Sequence, residues 1–253
     1  MDSNAAKGAL LGRPAEFLKY YPLKCAGAKA PLQNQVNLKP IYIHKQDGAY
    51  ITDPKTHKAK IGIMGHTGAT RPRMLGPDRK ISSFKLNTIQ PAGDYAQFAN
   101  AHIVPMVHYN SPATSAVDVD LAAGITAMPR YVLDGSGDGL MVTGELSGCC
   151  FCWVAQGAAL WCIHVQPKGI NPATGNAIDG AALHVLLQAT GRFQGAPGAA
   201  IGTYGANQYG TKRASVVGVR LATGWTLYAQ TSSTSFQSVA DASRIYPGAV
   251  QLL

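Results

Sequence analysis

Residues 143–167 read TGELSGCCFCWVAQGAALWCIHVQP and hold Cys149, Cys150, Cys152 and Cys162, four of the five cysteines, with His164 two residues beyond the last. A thiol beside an imidazole is how proteins make a cysteine nucleophile. The ring takes the thiol proton, stabilises the thiolate, and later hands a proton to a leaving group. Two apolar runs, CCFCWVA and AALWCIHV, flank Gln156-Gly157. An antiparallel hairpin closed on that dipeptide puts Cys149 directly opposite His164, with Cβ atoms roughly 4.5–5.5 Å apart on one face. Phe151, Trp153 and Leu160 then share a face and Val154, Trp161 and Ile163 the other, so the hairpin is expected to be buried on both sides. A turn at Leu146-Ser147-Gly148 would expose the backbone N–H groups that follow it, the donors an oxyanion needs when a thiolate attacks a carbonyl.

The same residues admit other readings. Cysteine is among the most buried residue types, and Cys149 and His164 can be packing in an apolar strand. Cys149 and Cys152 form a C-x-x-C that, with Cys162 and His164, offers four zinc ligands; structural zinc sites place such a pair on a tight turn, whereas this one runs into an apolar strand. A thioredoxin-type redox pair would open a helix, and strand-forming residues follow instead. No metal is expected. A secreted disulfide framework would spread and pair its cysteines, and this set is odd and clustered. His57, His66, His102, His108 and His184 are read as structural or solvated. The glycine clusters at 135–139 and 195–205 lack the context of a phosphate loop and read as turns.

The elements around this hairpin are mostly strands. IYIHKQ and AYITD about Asp47-Gly48 read as a hairpin, because Asp-Gly suits a type I′ turn. Segments 58–66, 79–89 and 101–109 follow as strands, with Pro105 placing the last at an edge or bulge. Residues 214–222 and 225–233 form a late hairpin about Thr223-Gly224. Pro14–Tyr20 reads as a short helix. Asp179 caps a second, AALHVLLQA, which stops at Gly191. The fold class is therefore α+β and mainly β, a sandwich flanked by a few helices and long loops. Residues 1–38 read as a basic N-terminal extension packing on or preceding the domain, and 39–253 as one domain.

The chain of 253 residues is 46% hydrophobic and only 14% charged, too apolar for intrinsic disorder. Its 28 glycines and 15 prolines show no three-residue period, which excludes collagen and fits a turn-rich globule. Residues 1–100 carry 15 Lys/Arg against 6 Asp/Glu, whereas 101–253 carry 7 of each, so the first hundred residues hold the whole net charge of +9. That part suits an acidic partner or a membrane surface. Zinc-finger and RNA-recognition signatures are absent, and no specific nucleic acid is expected. The apolar run at residues 9–11 is too short for a signal-peptide core, and the protein is expected to be soluble.

Leu146-Ser147-Gly148-Cys149 followed by His164 resembles the signature of the cytotoxic necrotising factor deamidases and of Burkholderia lethal factor, toxins that convert one glutamine of a host protein to glutamate. The step from Cys149 to His164 matches the necrotising-factor spacing. Thr143 fits the Thr-x-x-Leu-Ser-Gly-Cys stretch of the Burkholderia toxin. Thr203-Tyr204-Gly205, Val216-Val217-Gly218, Leu227-Tyr228 and Thr231-Ser232-Ser233 recur in the same order, so the resemblance spans roughly residues 140–235. It implies a sandwich of mixed sheets and a hydrolase acting on a carboxamide, without cofactor. Cys149 would be the nucleophile, His164 the acid/base and Thr143 its orienting group, with Tyr204 in the substrate cleft. It implies synthesis in a bacterial cytoplasm without a classical signal peptide, action in the host cytosol after delivery, and a host target such as a Rho-family GTPase or a translation initiation helicase. A transglutaminase, a cysteine protease and a non-catalytic β-sandwich binding module are the alternatives.

Overall fold

The computed structural model describes residues 1–21, 23–25, 38–46, 83–104, 106–110, 131–156, 159–168, 200–209, 213–232 and 249–253. Two helices open the chain. Helix α1 (Ser3–Gly12) starts at Asp2, whose carboxylate accepts from the Ala5 backbone N–H, as an N-cap should. Helix α2 (Pro14–Tyr20) begins with proline at the position where a missing N–H costs nothing. The first helix went unread in the sequence; the second has the expected bounds. Leu10 and Leu18 are completely buried and Phe17 nearly so, each burial worth roughly 1.5–3 kcal/mol. These helices are pinned to the strands by polar contacts as well. Ser3 bonds to the Asp94 carboxylate through its backbone N and Oγ, at 3.0 and 2.9 Å. The buried Gln230 side chain accepts from Leu23 N and donates to Leu18 O.

The strands are β1 (Leu23–Cys25), β2 (Leu38–Gln46), β3 (Ser83–Asn87), β4 (Tyr95–Val104), β5 (Met106–Asn110), β6 (Tyr131–Leu133) and β7 (Leu140–Thr143), followed by β8 (Cys150–Gln156), β9 (Ala159–Lys168), β10 (Ala200–Tyr204), β11 (Arg213–Leu221), β12 (Gly224–Ser232) and β13 (Val250–Gln251); a short helix α3 (Ala206–Tyr209) follows β10. They form an eight-stranded sheet in the order β1-β3-β2-β4-β7-β11-β12-β13 and a five-stranded sheet in the order β10-β8-β9-β5, with β6 also on β9. Both are mixed: β1/β3, β4/β7 and β5/β9 pair in parallel. The chain is thus α+β and mainly β, with few helices.

Side-chain alternation sorts the large sheet's two faces. Ile43, Phe84, Phe98, Val142, Val217 and Val219 join Leu10 and Phe17 in a first core. Met141, Val216, Leu227 and Ala229 point the other way, into a second core completed by Phe151, Trp153, Leu160 and Cys162 of the small sheet. Strand β4 ends in the large sheet at Val104, and β5 begins in the small sheet at Met106. The chain changes sheets there, where a single strand with an edge or bulge was expected.

One turn reading needs correction, and the strand expected at 49–53 with its Asp47-Gly48 turn lies outside the described residues. The late hairpin pairs Leu221 with Gly224, so Ala222-Thr223 forms its turn and Gly224, at φ 119°, lies just beyond. Segment 58–66 and the helix expected at 181–189 lie outside the described residues.

Candidate active site

Strands β8 and β9 form the expected antiparallel hairpin, and its faces are as read. From Cys150 to Val154 every residue is buried, odd positions in the second core and even positions on the opposite face. The register differs. Phe151, not Cys149, lies opposite His164, and Gln156 pairs with Ala159. The connection therefore falls between Gln156 and Ala159. The shift is two residues, an even number, so the faces are unchanged. Cys149 comes just before β8 and belongs to the same core as Phe151 and Trp153. It sits diagonally from His164 on the same face, not directly opposite it.

Three further features hold the thiol in place. Gly148 adopts φ +84°, in the left-handed region that favours glycine, and turns the chain into β8. Leu146 makes a two-bond bridge to Ala214 at the start of β11, 2.8 and 3.0 Å long, and Glu145 pairs with Arg213 at 2.6 Å beside it. Tyr209 of α3 donates its hydroxyl to the Cys149 carbonyl at 2.7 Å. Tyr209 was missed in the sequence, because no local pattern ties residues sixty apart. Tyr204 is 4% exposed and packs on Tyr209, so it is part of the core and does not line an open cleft.

Thr143 closes β7 in the large sheet, and its hydroxyl reaches across to the small one. Oγ1 donates to the Val104 carbonyl at 2.9 Å and lies 2.9 Å from His164 Nδ1. A hydroxyl has one proton, and a carbonyl can only accept, so Nδ1 must be the donor in the second contact. The neutral ring therefore carries its proton on Nδ1. Its other nitrogen, Nε2, carries a lone pair, and it is buried without a hydrogen-bond partner among the described residues. Burial lowers the His164 pKa to about 4. Burial raises that of Cys149, partly opposed by the Ser147 backbone. The resting pair is thus neutral thiol and neutral imidazole, with a free basic nitrogen on the thiol's face. His164 is fully buried and Cys149 is 2% exposed, so neither group is open to solvent.

Another described histidine, His102, is unlike it. His102 donates Nε2–H to Ser136 O at 3.1 Å and accepts at Nδ1 from Tyr131 at 3.3 Å, a satisfied core residue. His57, His66 and His184, and the side chain of His108, lie outside the described residues. Cys150 and Cys152 face away from Cys162 and His164 across the hairpin, and among the described residues no group of three or more His, Cys, Asp or Glu is placed to hold a metal. All five thiols are buried; burial pushes Cys25 and Cys150 up to about 12 and holds Cys152 and Cys162 well above the usual thiol range. Among the described residues no helix is long and apolar enough to cross a membrane.

No model of a known protein family matches the chain, and no curated protein sequence matches it either.

Proposed function

We propose that the chain is a protein-glutamine deamidase, a toxin or effector acting on a host protein. The observation that carries this reading is the tautomer-fixed Nε2 of His164, without a hydrogen-bond partner among the described residues and buried on the same face as the Cys149 thiol. A histidine that served only as packing would have both nitrogens satisfied, as His102 does.

In this reading a glutamine side chain enters between the two groups. His164 Nε2 takes the Cys149 proton, and the sulfur attacks the carboxamide carbon. Backbone N–H groups around Gly148 and Cys149 stabilise the tetrahedral oxyanion. The imidazolium, its Nδ1–H held by Thr143, protonates the departing ammonia. Water then hydrolyses the thioester and leaves glutamate. Burial favours the neutral thiol and imidazole over the ion pair, so deprotonation accompanies attack and does not precede it.

Candidate substrates, from the resemblance, are a Rho-family GTPase or a translation initiation helicase. The test is peptide mass spectrometry on host-cell lysate treated with the wild-type protein or Cys149→Ser, both confirmed folded and reduced. Glutamines converted to glutamate by the wild type alone support the proposal and name the target. Incorporation of an added primary amine at those glutamines indicates a transglutaminase. Cleavage indicates a protease, and no difference leaves a binding module.

A further inference from the structure

Among the described residues the small sheet packs on the second half of the large one. Among the described residues none of β1, β2 or β3 enters the core between the sheets, and β4 contributes only Val104. On those strands Ile43, Phe84 and Ala96 face the helices. Their neighbours in sequence therefore face the other way, onto the part of the sheet that the small sheet does not cover.

That surface has a definite chemistry. Lys24 pairs with Lys85, Lys85 with His44, and His44 with Tyr95, so the four side chains form one row across four adjacent strands. At strand spacings of about 4.8 Å the row is roughly 14 Å long. In the next row Tyr42 pairs with Asn87 and stands edge-on to the Tyr95 ring, centroids 5.6 Å apart. The Asn87 amide lies 3.0 Å from His44 Nε2. All six are partly exposed. It lies in the first hundred residues, which hold the chain's whole excess of positive charge.

We propose that this sheet face binds single-stranded nucleic acid. Tyrosine rings on a pleated surface stack bases without regard to sequence, amide and imidazole edges bond to exposed bases, and lysines between them meet phosphates. An acidic protein surface would use the lysines and leave the tyrosines without a role, and duplex would offer no free base to stack. The surface is independent of the Cys149–His164 site, and its test does not involve deamidation.

The experiment is fluorescence anisotropy of the full chain with a short labelled oligouridylate, across about 50 to 200 mM salt. Saturable binding is expected. A lysine–phosphate contact at Lys85 gives a slope of log K against log salt of about −0.7, roughly 2.6-fold weakening over that range. Tyr42→Ala should weaken binding about fivefold or more, whereas Tyr42→Phe, which keeps the ring, should retain it. Lys85→Gln should make the slope shallower by about 0.7. The proposal is overturned by absence of binding at the lowest salt, by Tyr42→Ala and Lys85→Gln binding like the wild type, or by equal affinity for polyglutamate or duplex.

Discussion

Replacing Thr143 with valine keeps the side chain's shape and removes only the hydroxyl that joins Val104 O to His164 Nδ1. The Nδ1–H then loses its acceptor in a fully buried setting, which costs about 1–3 kcal/mol. For a chain of this size each kcal/mol lowers Tm by about 2–4 °C, so a fall of roughly 2–12 °C is expected in thermal unfolding. The second consequence is chemical. With no acceptor at Nδ1 the proton is free to sit on Nε2, and the ring loses the lone pair assigned to the thiol. In the wild type, 15N spectra of labelled histidine should show a protonated Nδ1 and a bare Nε2 for His164; Thr143→Val should shift that balance, and Thr143→Ser should restore it. Deamidation, once a target is known, should fall at least about tenfold in kcat for Thr143→Val with little change in KM. A wild-type His164 protonated on Nε2, or a Thr143→Val protein melting with the wild type and showing the same tautomer, would refute the reasoning.

Acid should destabilise the fold through His164. Its folded pKa, about 4, lies below the ordinary 6.5, so the unfolded chain binds the extra proton. Stability is complete above pH 6.5 and is lost as pH falls toward 4, by about 3 kcal/mol; denaturant titrations at both ends of that window should show the loss, and His164→Gln should flatten it. Tyr209→Phe leaves the ring and removes the bond to the Cys149 carbonyl, with an expected loss of about 1 kcal/mol in urea unfolding. Gly202→Ala would drive a Cβ into the Trp153 indole, and overpacking of this kind costs about 1–3 kcal/mol, visible as a lower Tm and altered tryptophan fluorescence. Gly148→Ala meets open space but keeps φ +84°, so about 1–2 kcal/mol of backbone strain is expected in equilibrium unfolding.

The hairpin's faces were legible because alternation has a period of two and both runs are apolar. Its register was not, since Gln156-Gly157 and Gly157-Ala158 are both acceptable turns and only the wider sheet decides between them. Thr143 could be placed only by resemblance: its partners, Val104 and His164, are 39 and 21 residues away, and no local spacing encodes a contact made across two sheets. The N-terminal helices show the same limit. Pro14 announces α2, but that Leu10 and Phe17 belong to the main core follows from packing that charge and composition do not reveal. The basic character of the first hundred residues was plain, while the row from Lys24 to Tyr95 emerges only once β1, β3, β2 and β4 lie side by side out of sequence order.

Thr143 belongs to one sheet and His164 to the other, and the chain itself crosses between those sheets after Val104, whose carbonyl the same hydroxyl holds. The alignment is therefore a property of how the layers are seated on each other, not of any single loop. A substitution deep in the second core, at Met141, Leu227 or Trp153, can let one layer slip by a fraction of an ångström while leaving the protein folded. Mutational tolerance should accordingly be uneven: loss of the proposed activity would precede loss of fold for changes between the sheets, and the order would reverse for changes beneath the helices.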